Sequence, residues 1–206
     1  MSATRLLVLG VVRMEGQAHG YRVGRQLLDW GTEHWANIKW GSIYHALRKL
    51  SQEGRLREFV AEGDEVVDRV SYAITEDGEA ELHRLIRRGL SRREDPAMLF
   101  AAVTLMTALP RAEVVALLEQ RLELLERTDD ELRPSEDRGK PVHVRELFGL
   151  WRGTIGAEAR WTRDLVASLR AGEYTMADDG PDAFGLPPRP GVFGLPPVPG
   201  AVARDR

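Results

Sequence analysis

Between Gly54 and Thr75 the hydrophobic period of the chain changes from that of a helix to that of a strand. Val70, Tyr72 and Ile74 alternate with Arg69, Ser71 and Ala73, the pattern of a strand with one covered face. Leu56–Val60 reads as its hairpin partner, across Ala61-Glu62-Gly63-Asp64-Glu65-Val66. Around this hairpin the spacing is helical. Thr4–Met14 is apolar nearly all round, which suits a helix buried among others. His19–Trp30 carries a broad stripe of Tyr21, Val23, Leu27, Leu28 and Trp30. A third helix, Ser42–Glu53, stacks Ile43, Leu47 and Leu50 on one face, and Gly54 supplies its left-handed cap. After the hairpin Thr75 is an N-cap followed by Glu76 and Asp77, and a fourth helix runs to Gly89 or Ser91 with Leu82, Leu85 and Ile86 inward. Helix, helix, helix, hairpin, helix is the order of a winged helix-turn-helix.

Three zones follow. Residues 1–92 form the winged domain. Residues 93–172 are helical in pattern, with Arg111–Leu132 placing Val114, Val115, Leu118, Leu122 and Leu125 on one face. A last helix, Val142 to about Ala171, aligns Val144, Phe148, Trp151, Ile155, Ala159, Thr162, Val166 and Leu169. Two long amphipathic helices without a third make a poor monomeric core and a good dimer interface. The expected fold is therefore mainly α: a winged helix-turn-helix with a carboxy-terminal helical dimerisation region. Residues 173–206 are Pro/Gly-rich and repeat FGLPP at Phe184–Pro188 and Phe193–Pro197. They read as a disordered tail, or alternatively as a pair of docking segments.

The chain of 206 residues contains no cysteine, which excludes disulfides, thiolate catalysis and Cys-based metal sites. His19, His34, His45, His83 and His143 are scattered, without a His-x-x-x-His pair or an adjacent general base. Neither Gly-x-Ser-x-Gly nor a glycine-rich phosphate loop is present. An enzyme is not expected, nor a cofactor or metal. No run reaches 18 apolar residues, so no membrane span is expected and the reading is cytoplasmic.

The net charge of −3 excludes a polycation that holds nucleic acid by charge alone, but its distribution is uneven. Ala3–Val60 has nine basic and five acidic residues, whereas Ala61–His83 has eight acidic residues against Arg69. With Ile43, Leu47 and Leu50 inward, the third helix leaves Ser42, His45, Arg48, Lys49 and Gln52 outward. These side chains suit base edges and phosphates in a major groove, although a solvated helix face has the same composition.

Three segments carry a resemblance. His19-Gly20-Tyr21-Arg22-Val23, Gly41-Ser42-Ile43-Tyr44-His45-Ala46-Leu47-Arg48-Lys49-Leu50 with Glu53-Gly54-Arg55-Leu56, and Tyr72-Ala73-Ile74-Thr75-Glu76-Asp77-Gly78 occur in order. Residues 4 to about 92 thereby resemble the DNA-binding domain of the PadR family of bacterial transcription regulators. The resemblance implies a homodimer, usually a repressor, that binds double-stranded DNA at a pseudo-palindromic operator. It places Tyr21 and Tyr44 near the DNA backbone and Ser42, His45, Arg48 and Lys49 toward the groove, with Lys39 and Arg69 as further DNA-binding candidates. His45 stands where the family often has Pro. The tip carries Glu62, Asp64, Glu65 and Asp68, which repel phosphate, so a deeply inserted wing is not expected.

In some members of that family a small aromatic molecule lowers DNA affinity. Here Phe148, Trp151 and Trp161 are the candidate ligand-binding residues, with Met98, Phe100 and Met106 as pliable neighbours. A packed dimer interface accounts for the same inward aromatics. A second class of function also fits the composition: a protein-interaction adaptor acting through its acidic hairpin and Pro-rich tail.

Overall fold

The computed structural model describes residues 2–60, 70–93, 95–133 and 139–180. The hairpin tip, with Arg69 and its acidic cluster, and both FGLPP repeats lie outside the described residues. At the centre is α1, Ala3–Glu15, in which Leu6, Leu7, Val8, Leu9, Val11 and Val12 are all fully buried. A helix apolar on every side is stable only when wrapped. The wrapping elements are α2 (Gly20–Asp29), α4 (Trp40–Gln52), α5 (Glu76–Ser91) and α6 (Pro96–Thr104).

Two short elements were not legible in the sequence. Ala18–His19 (β1) adds to the hairpin, giving an antiparallel sheet in the order β1-β3-β2. Its registers are Ala18↔Tyr72 across β1 and β3 and Leu56↔Ile74 across β2 (Leu56–Val60) and β3 (Val70–Ile74). Thr32–Trp35 (α3) forms one turn between α2 and α4, where the buried Thr32 hydroxyl donates to the Leu27 carbonyl at 2.9 Å. Helix α4 also starts at Trp40, ahead of the expected Ser42. The Ser42 hydroxyl donates to the Lys39 carbonyl at 2.7 Å and accepts from the Lys39 N–H at 3.1 Å, closing the first turn.

The other end of α4 is closed by Gly54 at φ +70°, with Gly54 N–H donating to Ser51 and Arg55 N–H donating to Leu50. This Schellman closure needs a residue tolerant of the left-handed region. The Thr75 hydroxyl accepts from the Gly78 N–H at 3.1 Å and donates to the Gly54 carbonyl at 2.7 Å. One side chain thus caps α5 and ties it to the end of α4. Such a cap is worth about 1 kcal/mol.

Beyond α6 and a short 3₁₀ turn, α7 (Arg111–Leu132) and α8 (Val142–Arg170) form an antiparallel pair. The lower half, with Val114, Leu118, Val166 and Leu169, joins the main core. The upper half holds a separate small cluster of Leu125, Leu132, Ile155 and Ala159, with Leu122 and Phe148 packed against it. Arg163–Glu126 at 2.7 Å, Arg152–Asp129 at 2.9 Å and Arg170–Glu119 bridge the pair. Partly exposed pairs of this kind contribute about 0–1 kcal/mol each, so the apolar seam dominates.

The tail was expected to begin at residue 173, without a packable face. In the structure Met176 is fully buried in the main core and Tyr174 packs against it. Arg111 donates to the Tyr174 carbonyl and meets Asp179 at 2.5 Å, while the Asp178 carboxylate accepts from the Arg111 backbone N–H at 2.9 Å. A buried apolar side chain and carboxylates at the open end of α7 hold this strap down. Among the described residues no helix is long and apolar enough to cross a membrane.

Candidate nucleic-acid interface

Helix α4 buries Ile43, Leu47 and Leu50 completely, which turns the rest of its circumference outward. Ser42, Tyr44, His45, Arg48, Lys49 and Gln52 are all exposed, as is Lys39 before it. Among the described residues Arg48, Lys49 and Lys39 form no salt bridge, so their charges face solvent without a carboxylate at contact distance. Ser42 differs from the expectation in one respect. Its hydroxyl is engaged with both backbone groups of Lys39, so its first task is capping the helix rather than reading a base.

The amino end of α4 is organised by aromatic rings. Trp40 stacks on Tyr21 of α2, with centroids 5.6 Å apart and planes inclined by 16°, and on Tyr44 one turn later, at 6.2 Å and 25°. The stack lies against two glycines of α2 spaced by four. A Cβ on Gly24 would fall 2.0 Å from the Trp40 ring, and one on Gly20 would fall 2.8 Å from the Tyr44 ring. Glycine there is a matter of space. Tyr21 remains 54% exposed and Tyr44 41%, and Tyr44 shares its face of α4 with Arg48 one turn later. A third helix starting at Ser42, as the apolar spacing suggests, leaves Trp40 outside it. The signal passed over was the match of spacings, Gly20 with Gly24 and Trp40 with Tyr44.

A charge network holds this surface on its scaffold. Arg5 of α1 donates to Glu81 of α5 at 2.5 and 2.8 Å and to Glu53 at the end of α4 at 2.5 Å. Arg55 reaches Glu81 at 3.1 Å and Asp77 at 3.0 Å. The hydrogen bond from Arg5 is the main reason the Glu81 carboxyl lies below the usual carboxylate range, with burial opposing it. Beside the network an open groove of about 690 Å³ runs between Ser2 and Thr4 of α1, His45 and Lys49 of α4, and Arg84 of α5.

The second candidate site is only partly assembled. Phe148 and Trp151 are neighbours with centroids 6.4 Å apart, and the Lys140 ammonium lies 3.8 Å from the Phe148 ring centroid. Trp161 stands ten residues further along α8, about 15 Å at helical rise, and does not join them. The expected pliable neighbours are elsewhere. Met98 and Met106 are buried in the main core, and Phe100 packs edge-on against Trp35 at 6.0 Å. Trp151 is 42% exposed, beside Leu147 at 57% and Leu150 at 71%.

A turn-separated pair of helices with an outward second helix, followed by an antiparallel wing, defines a winged helix-turn-helix domain. Residues 8–84 match the model of the transcriptional regulator PadR-like family. That match lies within the amino-terminal winged domain. Similar solved structures include Bacillus subtilis PadR in complex with operator DNA, at 20% identity over 80% of this chain and 98% of that one, with a TM-score of 0.37. A PadR-like transcriptional regulator from Bacillus cereus is 21% identical over 82% of this chain and 99% of its own, with a TM-score of 0.35. A Streptococcus mutans protein is 19% identical over 84% and 99%, with a TM-score of 0.38. No curated protein matches the chain.

Proposed function

We propose that this chain is a cytoplasmic, sequence-specific transcriptional repressor that binds duplex DNA as a homodimer. The observation that carries the reading is the outward face of α4, where Tyr44, His45, Arg48 and Lys49 are exposed together on a helix held by its cap, its Schellman closure and the Arg5–Glu81 network. In the bound state α4 lies in the major groove, Arg48 and Lys49 reach base edges or phosphates, and the Tyr21 and Tyr44 hydroxyls meet the backbone. Two copies joined along α8 present their α4 helices about 34 Å apart, one turn of B-DNA. A planar aromatic effector fits best beside Phe148 and Trp151, where a second copy closes the exposed side of the pair. Trp161 is then left outside that site.

The test is a salt titration on a duplex selected by the wild-type protein from a randomised library. Phosphate contacts release counterions, so affinity should fall steeply with salt. Arg48→Ala with Lys49→Ala should weaken binding at least tenfold, about 1.4 kcal/mol. The salt dependence should become shallower while the melting temperature holds, because both side chains are exposed. Unchanged affinity of the double variant would overturn the assignment of this face. Wild-type protein that selects no duplex would overturn the reading itself.

A further inference from the structure

The aromatic stack at the head of α4 has a consequence for DNA recognition that goes deeper than the charge on that helix. Tyr21 and Tyr44 belong to different helices, α2 and α4, which meet where the Tyr44 ring lies against Gly20. What joins them is the indole of Trp40, stacked on both rings at 5.6 and 6.2 Å. The indole is itself seated in the space left by Gly24. Two tyrosines with a common rigid neighbour dock as one unit, and the side-chain entropy of ordering them is lost on folding instead of on binding.

We infer that Trp40 is a positioning residue for sequence recognition: it fixes the Tyr21 and Tyr44 rings as one preformed ledge against the DNA backbone and thereby sets the angle at which α4 enters the groove. This rests on the DNA-binding reading above and adds a residue that carries no charge and donates nothing to the groove itself. A misplaced ledge still allows Arg48 and Lys49 to attract phosphate, because charge acts without orientation. It removes the registration that base contacts require. Loss of Trp40 should therefore lower specificity much more than non-specific affinity.

The experiment compares wild type, Trp40→Ala, Trp40→Phe and Gly24→Ala on two probes, the library-selected duplex and a mixed-sequence duplex at low salt. Gly24→Ala leaves the indole in the chain but pushes it out of its seat, since the added Cβ would lie 2.0 Å from the ring. It is therefore an independent disturbance of the same contact. Trp40→Ala and Gly24→Ala should each bind the selected duplex at least tenfold more weakly, with less than a twofold change on mixed duplex. Trp40→Phe should recover most of the loss, because a smaller ring can still stack. Circular dichroism and melting are read in parallel, and Gly24→Ala and Trp40→Phe carry the test if Trp40→Ala does not fold. Equal binding of the selected duplex by Gly24→Ala and wild type would overturn the proposal, as would equal losses on both probes. Failure of wild type to bind either probe would overturn the DNA-binding reading, and the role of Trp40 with it.

Discussion

Glu81 shows how a single side chain organises this surface. It is buried at the junction of α1, α4 and α5 and receives Arg5 and Arg55, with Arg84 at 3.4 Å. Its carboxyl is held below the ordinary 4.5, mainly by the Arg5 hydrogen bond. A depressed acid stabilises the fold fully above its unfolded value, and that contribution disappears as the pH falls through the lower folded value. Glu81→Gln should therefore melt at a lower temperature than wild type at pH 7, and the gap should narrow as the pH is brought below 4.5. A gap that stayed constant from pH 7 to pH 3 would mean that the carboxylate charge is not what Arg5 requires. Arg121 obeys a harsher version of the same logic. It is 2% exposed, donating to the Arg92 carbonyl at 2.7 Å and to Glu158 at 3.0 Å. Burial lowers its pKa and Glu158 opposes the shift. Glu158 is shared with Arg93 at 3.2 Å, so losing Arg121 leaves the carboxylate a partner, whereas losing Glu158 leaves the buried guanidinium with only a neutral carbonyl and is the costlier change.

Elements with a long, regular apolar stripe were legible in the sequence, and short ones were not. The span of α7 and the end of α5 follow directly from Val114, Leu118 and Leu125 and from Leu82, Leu85 and Ile86. Neither β1, of two residues, nor α3, of four, is long enough to show a period, and both are fixed by tertiary contacts instead. The exposed cations of α4 could be read from its buried stripe. The aromatic stack was harder to read, because the matched spacings of Gly20 with Gly24 and of Trp40 with Tyr44 gain meaning only once α2 and α4 are known to cross. The strap after α8 was missed for a related reason. A single Met176 beside Asp178 and Asp179 has no periodicity, yet Met176 is fully buried and Asp179 holds Arg111. Deleting residues 181–206 should leave the melting temperature unchanged, whereas deleting residues 176–206 should lower stability by about 2–4 kcal/mol for the lost apolar side chain and cap. Equal melting of the two truncations would show that the strap contributes nothing.

For the whole molecule, the decisive feature is how unequally the apolar residues are covered. The main core is closed, but the upper half of the α7–α8 pair leaves Val142, Leu147, Leu150 and Trp151 exposed along one helix. A second copy is the occupant we propose for them. Leu150→Glu should shift sedimentation toward the monomer and weaken operator binding, since two linked half-sites bind far more tightly than one. Its own melting at high dilution should change little, Leu150 being 71% exposed in the single chain. A variant that sediments as wild type does would place the interface elsewhere. The burial of α1 has another consequence, which concerns synthesis. This helix leaves the ribosome before every segment that covers it, and its Gly10 meets Leu105. At about 5–20 residues per second, roughly 5–20 s pass before that segment has been made. During that interval the most apolar helix of the domain is exposed to the cell. Nascent chains of this protein are accordingly expected to be clients of a ribosome-associated chaperone until α6 emerges.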